Sequence, residues 1–245
     1  MVLLLWEEEY VLKVRIKFKK YGALRFIGHL DVMRFFQKAL RRANIPVAFT
    51  QGFSPHMIMS FASPLGIGLT SEGEYFDAEL TESISTEDAL RQLNAVMVEG
   101  IEVTGFCQIA EEKKMTGMAI VAAADYLVSV KDGVLPENWK EQAEAFIAQS
   151  EIAVLKQTKR SEKMVDIRPM IYKFEIREDA FYMQLAAGSV ENLKPDLVMQ
   201  ALLAFMNVEE ETVKFHYHRL EMYADLGEDG THNFASLEAL GKPIL

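Results

Sequence analysis

Ten lysines and arginines crowd positions 13–42: Lys13, Arg15, Lys17, Lys19, Lys20, Arg25, Arg34, Lys38, Arg41 and Arg42, against a single acid, Asp31. The segment carries a formal +9 (10 minus 1) inside a chain of net charge −10, so the remainder sums to −19. Side chains of this type and density are suited to holding an anion, with RNA and nucleotides the foremost candidates. Two histidines add a second possibility, His29 following Gly28 and His56 following Pro55. An imidazole titrates near neutral pH, so either could take a proton from a ribose hydroxyl while a nearby cation stabilises the phosphorane-like charge. That is the minimal equipment of a metal-independent ribonuclease. Bracing a turn is the plainer use of a histidine in such a setting.

Spacing decides which cations can act together. Leu12, Val14, Ile16 and Phe18 alternate with Lys13, Arg15 and Lys17, the period of a strand with one core face and one cationic face. Arg34, Lys38, Arg41 and Arg42 fall at i, i+4, i+7 and i+8 of a helix whose apolar stripe is Val32, Phe35, Phe36, Ala39, Leu40 and Ala43. Only Asp31 is within one helical turn of any of them, although Arg41 and Arg42 would also complement the dipole at the helix end. The turn-forming stretch Gln51-Gly-Phe-Ser-Pro-His follows, which makes Gln51, Gly52, Ser54 and His56 candidate phosphate contacts beside the helix. A second basic loop contains Lys156, Lys159, Arg160, Lys163 and Arg168 against Glu162 and Asp166. Lys159, Lys163 and Arg168 could clamp a phosphate there, with Asp166 placed to pair with Arg168.

Other patterns exclude chemistry. Cys107 is the only cysteine and sits in an apolar stretch, the setting of a buried, inert thiol. One thiol rules out an internal disulfide, a multi-thiolate zinc site and a cluster held by three or four cysteines. His216 and His218 share one side of a strand and could chelate zinc, but no third ligand is signalled and Lys214 lies beside them. Gly66 and Gly68 lack the strand-to-helix context and lysine of a phosphate loop. No cofactor is expected. The opening apolar residues are too few to span a bilayer and run into Glu7, Glu8 and Glu9, so the expectation is a soluble, cytoplasmic protein with no membrane partner.

The elements that must position these groups follow from periodicity. The order is a strand at 11–18, a helix at 30–43, strands near 57–61 and 75–80, a helix at 86–98 opened by Ser85, and a strand at 101–109. That is the split βαβ order of a ferredoxin-like unit, an α+β fold with an antiparallel sheet and its helices on one face. The second half repeats the order, with strands at 126–131 and 151–158, a helix between them, a hairpin at 172–187, a helix at 195–205 and a strand at 213–223. The expected organisation is therefore a first domain over 1–110, a linker over 111–122, a second domain over 123–223 and a tail over 224–245, loosely ordered apart from a short helix near Ser236–Leu240. In this topology the first and third strands oppose Lys13, Arg15 and Lys17 to Glu79, Asp77 and Tyr75. Either a charge ladder or a bare cationic sheet results. Tyr75 is the one aromatic placed to stack a base on that sheet.

Gly28-His-Leu-Asp, Leu40-Arg-Arg-Ala, Gly52-Phe-Ser-Pro-His, Ser60-Phe-Ala-Ser-Pro-Leu and Val165-Asp-Ile-Arg-Pro resemble the bacterial radical-SAM-linked protein family, over about residues 11–220. That family is a domain of unknown function found beside, or fused to, a cobalamin-type radical SAM protein. The resemblance implies a radical SAM partner, while Cys107 alone cannot hold the cluster such chemistry needs. The expected function is a non-catalytic adaptor that binds RNA or another phosphate-bearing substrate for that partner. Two alternatives stand beside it. One is an endoribonuclease of the ferredoxin-like CRISPR-processing type using His29 or His56, and the other is a module that binds only protein.

Overall fold

The computed structural model describes residues 12–157, 162–228 and 230–245. The first half runs β1 (Leu12–Lys20), α1 (His29–Arg42), β2 (Met59–Ala62), β3 (Thr70–Leu80), α2 (Thr86–Asn94) and β4 (Ile101–Gln108). A short helix α3 (Gly117–Ile120) leads into β5 (Val121–Asp132), so half of the expected linker is already ordered secondary structure. The second half continues with α4 (Trp139–Ile147), β6 (Ala153–Gln157), β7 (Glu162–Asp166), β8 (Ile171–Arg177), β9 (Ala180–Ala186), α5 (Pro195–Phe205), β10 (Lys214–Asp225) and β11 (Phe234–Ser236).

Nine of these strands form one large, mostly antiparallel sheet in the order β4-β1-β3-β10-β5-β9-β8, with β2 added to β3 and β11 to β10. The remaining two, β6 and β7, pair only with each other. The expectation that 151–158 supplies a strand of the main sheet is thus corrected, since its backbone partners lie in the immediately following segment. Among the described residues one parallel junction is formed, and it joins the two halves, His218 opposite Thr70 and Arg219 opposite Ser71.

Each half buries its own core. Leu12, Val14, Ile16 and Phe18 of β1 pack against Val32, Phe36 and Leu40 of α1 and Ala89 and Leu93 of α2. Ala124, Val128, Phe181 and Met183 play the same part against Phe146 of α4 and Val198 and Leu202 of α5. The boundaries of α1 follow local chemistry. Gly28 precedes it without a side-chain cap, and Asn44 ends it in the left-handed region at φ 52°. Ser85 caps α2 by accepting the Asp88 N–H.

The tail is not loose. β11 pairs with β10, Lys242 exchanges backbone bonds with Gln108, and the Ile244 carbonyl accepts from Thr86 N–H at 2.9 Å. Gly241 lies so close to Cys107 Sγ that a β-carbon there would clash at 2.2 Å. The short helix expected near Ser236–Leu240 is present as a single turn over Glu238–Leu240. Among the described residues no helix is long and apolar enough to cross a membrane.

Candidate functional site

The register of β1 on β3 pairs Lys13 with Glu79, Arg15 with Asp77 and Lys17 with Tyr75, as the alternation requires. The outcome is the charge ladder, and it is covered rather than solvated. Arg15 is 1% exposed, donates two bonds to the Asp77 carboxylate at 2.8 and 3.0 Å, and gives two more to the carbonyls of Leu237 and Met115. Asp77 also accepts the Gly117 N–H at 2.7 Å. Lys17 reaches Glu221 at 2.7 Å and Glu238 at 3.1 Å. Burial works against its charge, but the bonds to both carboxylates outweigh that and hold its pKa above the usual lysine value. Tyr75 is fully buried and donates to Glu221 at 2.6 Å, so it offers no stacking face. Lys19 pairs with Glu72 at 2.8 Å. Lys20 is buried, which lowers its pKa, and donates to the Ile27 carbonyl at 3.0 Å.

The cations of α1 have the opposite fate. Arg34, Lys38, Arg41 and Arg42 are all exposed. Among the described residues the carboxylate that pairs with Arg34 is Asp31, at 3.4 Å with both side chains largely in water, a geometry that contributes little. Among the described residues no carboxylate forms a salt bridge with Lys38, Arg41 or Arg42. The reason is sequence spacing, because the buried stripe Val32, Phe36, Ala39 and Leu40 forces these four positions outward together.

The segment after α1 turns back beside it. A bridge between Phe49 and Met57 and a bond from Thr50 N–H to the His56 carbonyl close a loop whose tip, Gln51 to Pro55, is exposed throughout. Arg41 lies over the Phe49 ring at 5.9 Å, which ties this loop to the last turn of the helix. Phe53 at the tip is fully exposed. Gln51, Gly52, Ser54 and His56 therefore share a surface with Arg41.

The remaining candidates are dispersed. Lys163 is exposed on β7 opposite Lys156, and Lys159 lies outside the described residues. Arg168 does not pair with the Asp166 carboxylate through its side chain. Its guanidinium donates to the carbonyls of Ile147 and Ile171, while Asp166 accepts the backbone N–H groups of Ile152 and Arg168. His56 braces its own loop by contacting the Thr50 hydroxyl at 3.1 Å, and His29 packs edge-on against Phe61 at 5.0 Å. His216 and His218 converge on one hydroxyl, that of Thr70, at 3.1 and 2.7 Å. Among the described residues no group of three histidine, cysteine or acidic side chains is placed to hold a metal. Cys107 is buried, which pushes its thiol up to about 11 and keeps it protonated.

Sequence reasoning passed over the surface beside the seam between the halves. Phe26 and Ile67 are exposed there, and Arg25 stacks on the Phe26 ring at 4.6 Å. The signals, Phe26 in a basic turn, Gly66 with Gly68, and His216, are far apart in the sequence and do not point to one place.

Fold and surface together define a mixed α/β protein of two joined lobes, with a buried cationic strand and an exposed cationic helix. The chain belongs to a family described as "Uncharacterized protein conserved in bacteria (DUF2344)", whose profile matches residues 13–195. No curated protein matches it. Among solved structures, an unknown protein from Galdieria sulphuraria is similar over 86% of this chain and 99% of its own length, at 11% identity and a TM-score of 0.27.

Proposed function

We propose that this chain is a non-catalytic accessory protein that holds a phosphate-bearing substrate, RNA foremost, on α1 and the 49–57 loop. The observation that carries the reading is the exposed stripe Arg34, Lys38, Arg41 and Arg42, left without buried carboxylate partners while the β1 cations are neutralised. Phe53, exposed beside that stripe, gives an unpaired base a face to stack on. A radical SAM enzyme is the proposed partner, on the resemblance of the sequence motifs, with the present chain presenting substrate and the partner performing the chemistry. We also read the lobes as ferredoxin-like. The order β4-β1-β3-β2 in one and β10-β5-β9-β8 in the other supports this, as do two helices on each core.

Binding of a labelled RNA measured across a salt series tests the proposal. Affinity is expected to fall steeply as salt rises, by roughly 0.7–0.9 in log–log slope per phosphate contacted, and to drop at least tenfold in Arg34→Glu with Lys38→Glu. No binding, or binding indifferent to salt, rejects it. Cleavage of that RNA in the presence of chelator, lost in His29→Ala or His56→Ala, would replace it with the ribonuclease.

A further inference from the structure

The segment from Ser63 to Leu69, which the anion reading of α1 does not use, is fastened at the seam between the lobes. The Ser63 carbonyl accepts from the buried Arg219 at 2.9 Å, itself locked to Glu74 by bonds of 2.6 and 2.8 Å. Gly68 N–H donates to the Arg25 carbonyl at 2.7 Å. Just beyond, Thr70 Oγ1 sits between His216 and His218 of β10. Ser63 holds φ at 32°, a region a residue with a side chain seldom adopts, while Gly68 at 91° takes a conformation that glycine permits, so the anchors and the glycine together set the path of the loop. A loop fastened at three points makes a rigid wall.

Behind that wall is a cavity of about 330 Å³, within the size range of small-molecule sites. Leu65, Ile67, Tyr126 and Tyr217 give it apolar surface, two of them aromatic rings, while Arg219 and the exposed Asn192, Lys194 and Asp196 supply donors and acceptors. Sharing Ile67, Leu69 and Tyr217 with it is a wider cleft of about 570 Å³ lined also by Arg25, Phe26, Lys131 and His216, with no carboxylate in its lining among the described residues. The two ends differ in charge. Burial raises the pKa of the Tyr217 phenol, and the negative charges of Asp196 and Glu210 add to it. At the other end burial lowers the pKa of His216, and the positive charges of Arg25 and Lys131 lower it further. The enclosed end carries both signs, Lys194 and the Glu74-paired Arg219 beside Asp196, whereas the charged side chains lining the open end are the cations Arg25 and Lys131, so an anion is drawn to the open end.

We propose that this seam cleft is a nucleotide-binding site, with the base enclosed between the Ser63–Leu69 loop and Tyr126 and Tyr217, and the phosphate on Arg25 and Lys131. A planar ring bearing donors and acceptors fits the enclosed end, and a phosphate within one sugar of it fits the open end. A free nucleotide and the unpaired end of an RNA share this chemistry. The site is separate from the α1 stripe, and its variants do not touch that helix.

Calorimetric titration of the whole chain with each of the four ribonucleoside monophosphates, the matching nucleosides and a five-nucleotide single-stranded RNA tests the assignment. At least one monophosphate or the RNA is expected to bind, with Lys131→Glu weakening it tenfold or more and Arg34→Glu with Lys38→Glu leaving a monophosphate unaffected. Binding should also raise the pKa of His216, read from its ring proton shifts, because a phosphate would offset Arg25 and Lys131. Monophosphate binding identifies a free nucleotide as the source, and binding of the RNA alone, weakened by Lys131→Glu, identifies an unpaired strand. The proposal is overturned if neither binds, if Lys131→Glu binds as well as the parent, or if a nucleoside binds as tightly as its phosphate. Lys131 is exposed, so its variant folds whatever becomes of substitutions at the tyrosines.

Discussion

β1 and α1 are built from the same cationic residues in one continuous basic stretch, yet their charges end in opposite states. On β1 the alternation that buries Ile16 also aims Arg15 and Lys17 at the opposite face, and that face is roofed by Met115, Leu237 and Glu238. On α1 the stripe that buries Phe36 and Leu40 aims Arg34, Lys38, Arg41 and Arg42 into water. A strand inside a sheet has two faces to cover, whereas a helix at the surface needs only one. The lesson is that a formal charge of +9 overstates the available field, because Arg15 and Lys17 already hold the fold together.

The largest effect should come from removing the buried partner. Arg15→Met is expected to destabilise the protein by about 3–5 kcal/mol, the usual result of leaving a buried carboxylate unpaired. A urea unfolding curve checks this, and an unchanged midpoint would mean that Arg15 is as dispensable as a surface charge. Adding Asp77→Leu should restore only part of the loss, since Gly117 N–H and the Leu237 and Met115 carbonyls would stay without their partners.

A smaller effect is expected at the seam. His216 and His218 both sit below the usual histidine value of 6.5, in each case through burial first. Their neutral forms are favoured in the fold, so the unfolded chain takes up more protons just below that value. Stability is therefore full above about pH 6.5 and declines as pH falls through the lowered folded values. Unfolding midpoints measured between pH 5 and 8 should show this decline, flattened in His216→Gln with His218→Gln. An identical pH dependence in that variant would remove the histidines from the account. Smallest of all, Arg34→Glu with Lys38→Glu, or Phe53→Ser, should leave the unfolding midpoint where it was while RNA affinity falls. A large loss of stability in either would show that α1 or its loop is structural, and the contrast with β1 would disappear.

Much of this arrangement was legible in advance. The period of two in Leu12–Phe18, together with the acids at Asp77 and Glu79, indicated the β1–β3 register, and the period of the apolar residues in α1 indicated which cations share a face. The tail was not legible, because its order comes from Lys242 meeting Gln108 and Leu237 meeting Arg15, contacts invisible to local propensity. Nor was the seam cleft, whose walls are drawn from the Ser63–Leu69 loop, β5, the start of α5 and β10. Arg168 was misread for a related reason. A nearby acid in sequence suggested an ion pair, but two backbone carbonyls had the better geometry.

By itself the amino-acid order determined where positive charge concentrates and which side of each element it occupies, since those properties follow from residue type and the repeat of the backbone. Only the tertiary structure decided which of those charges remain available. The carboxylates that neutralise Arg15 and Lys17 arrive from 62, 204 and 221 residues away, and such partners are chosen by chain packing, not by neighbours in sequence.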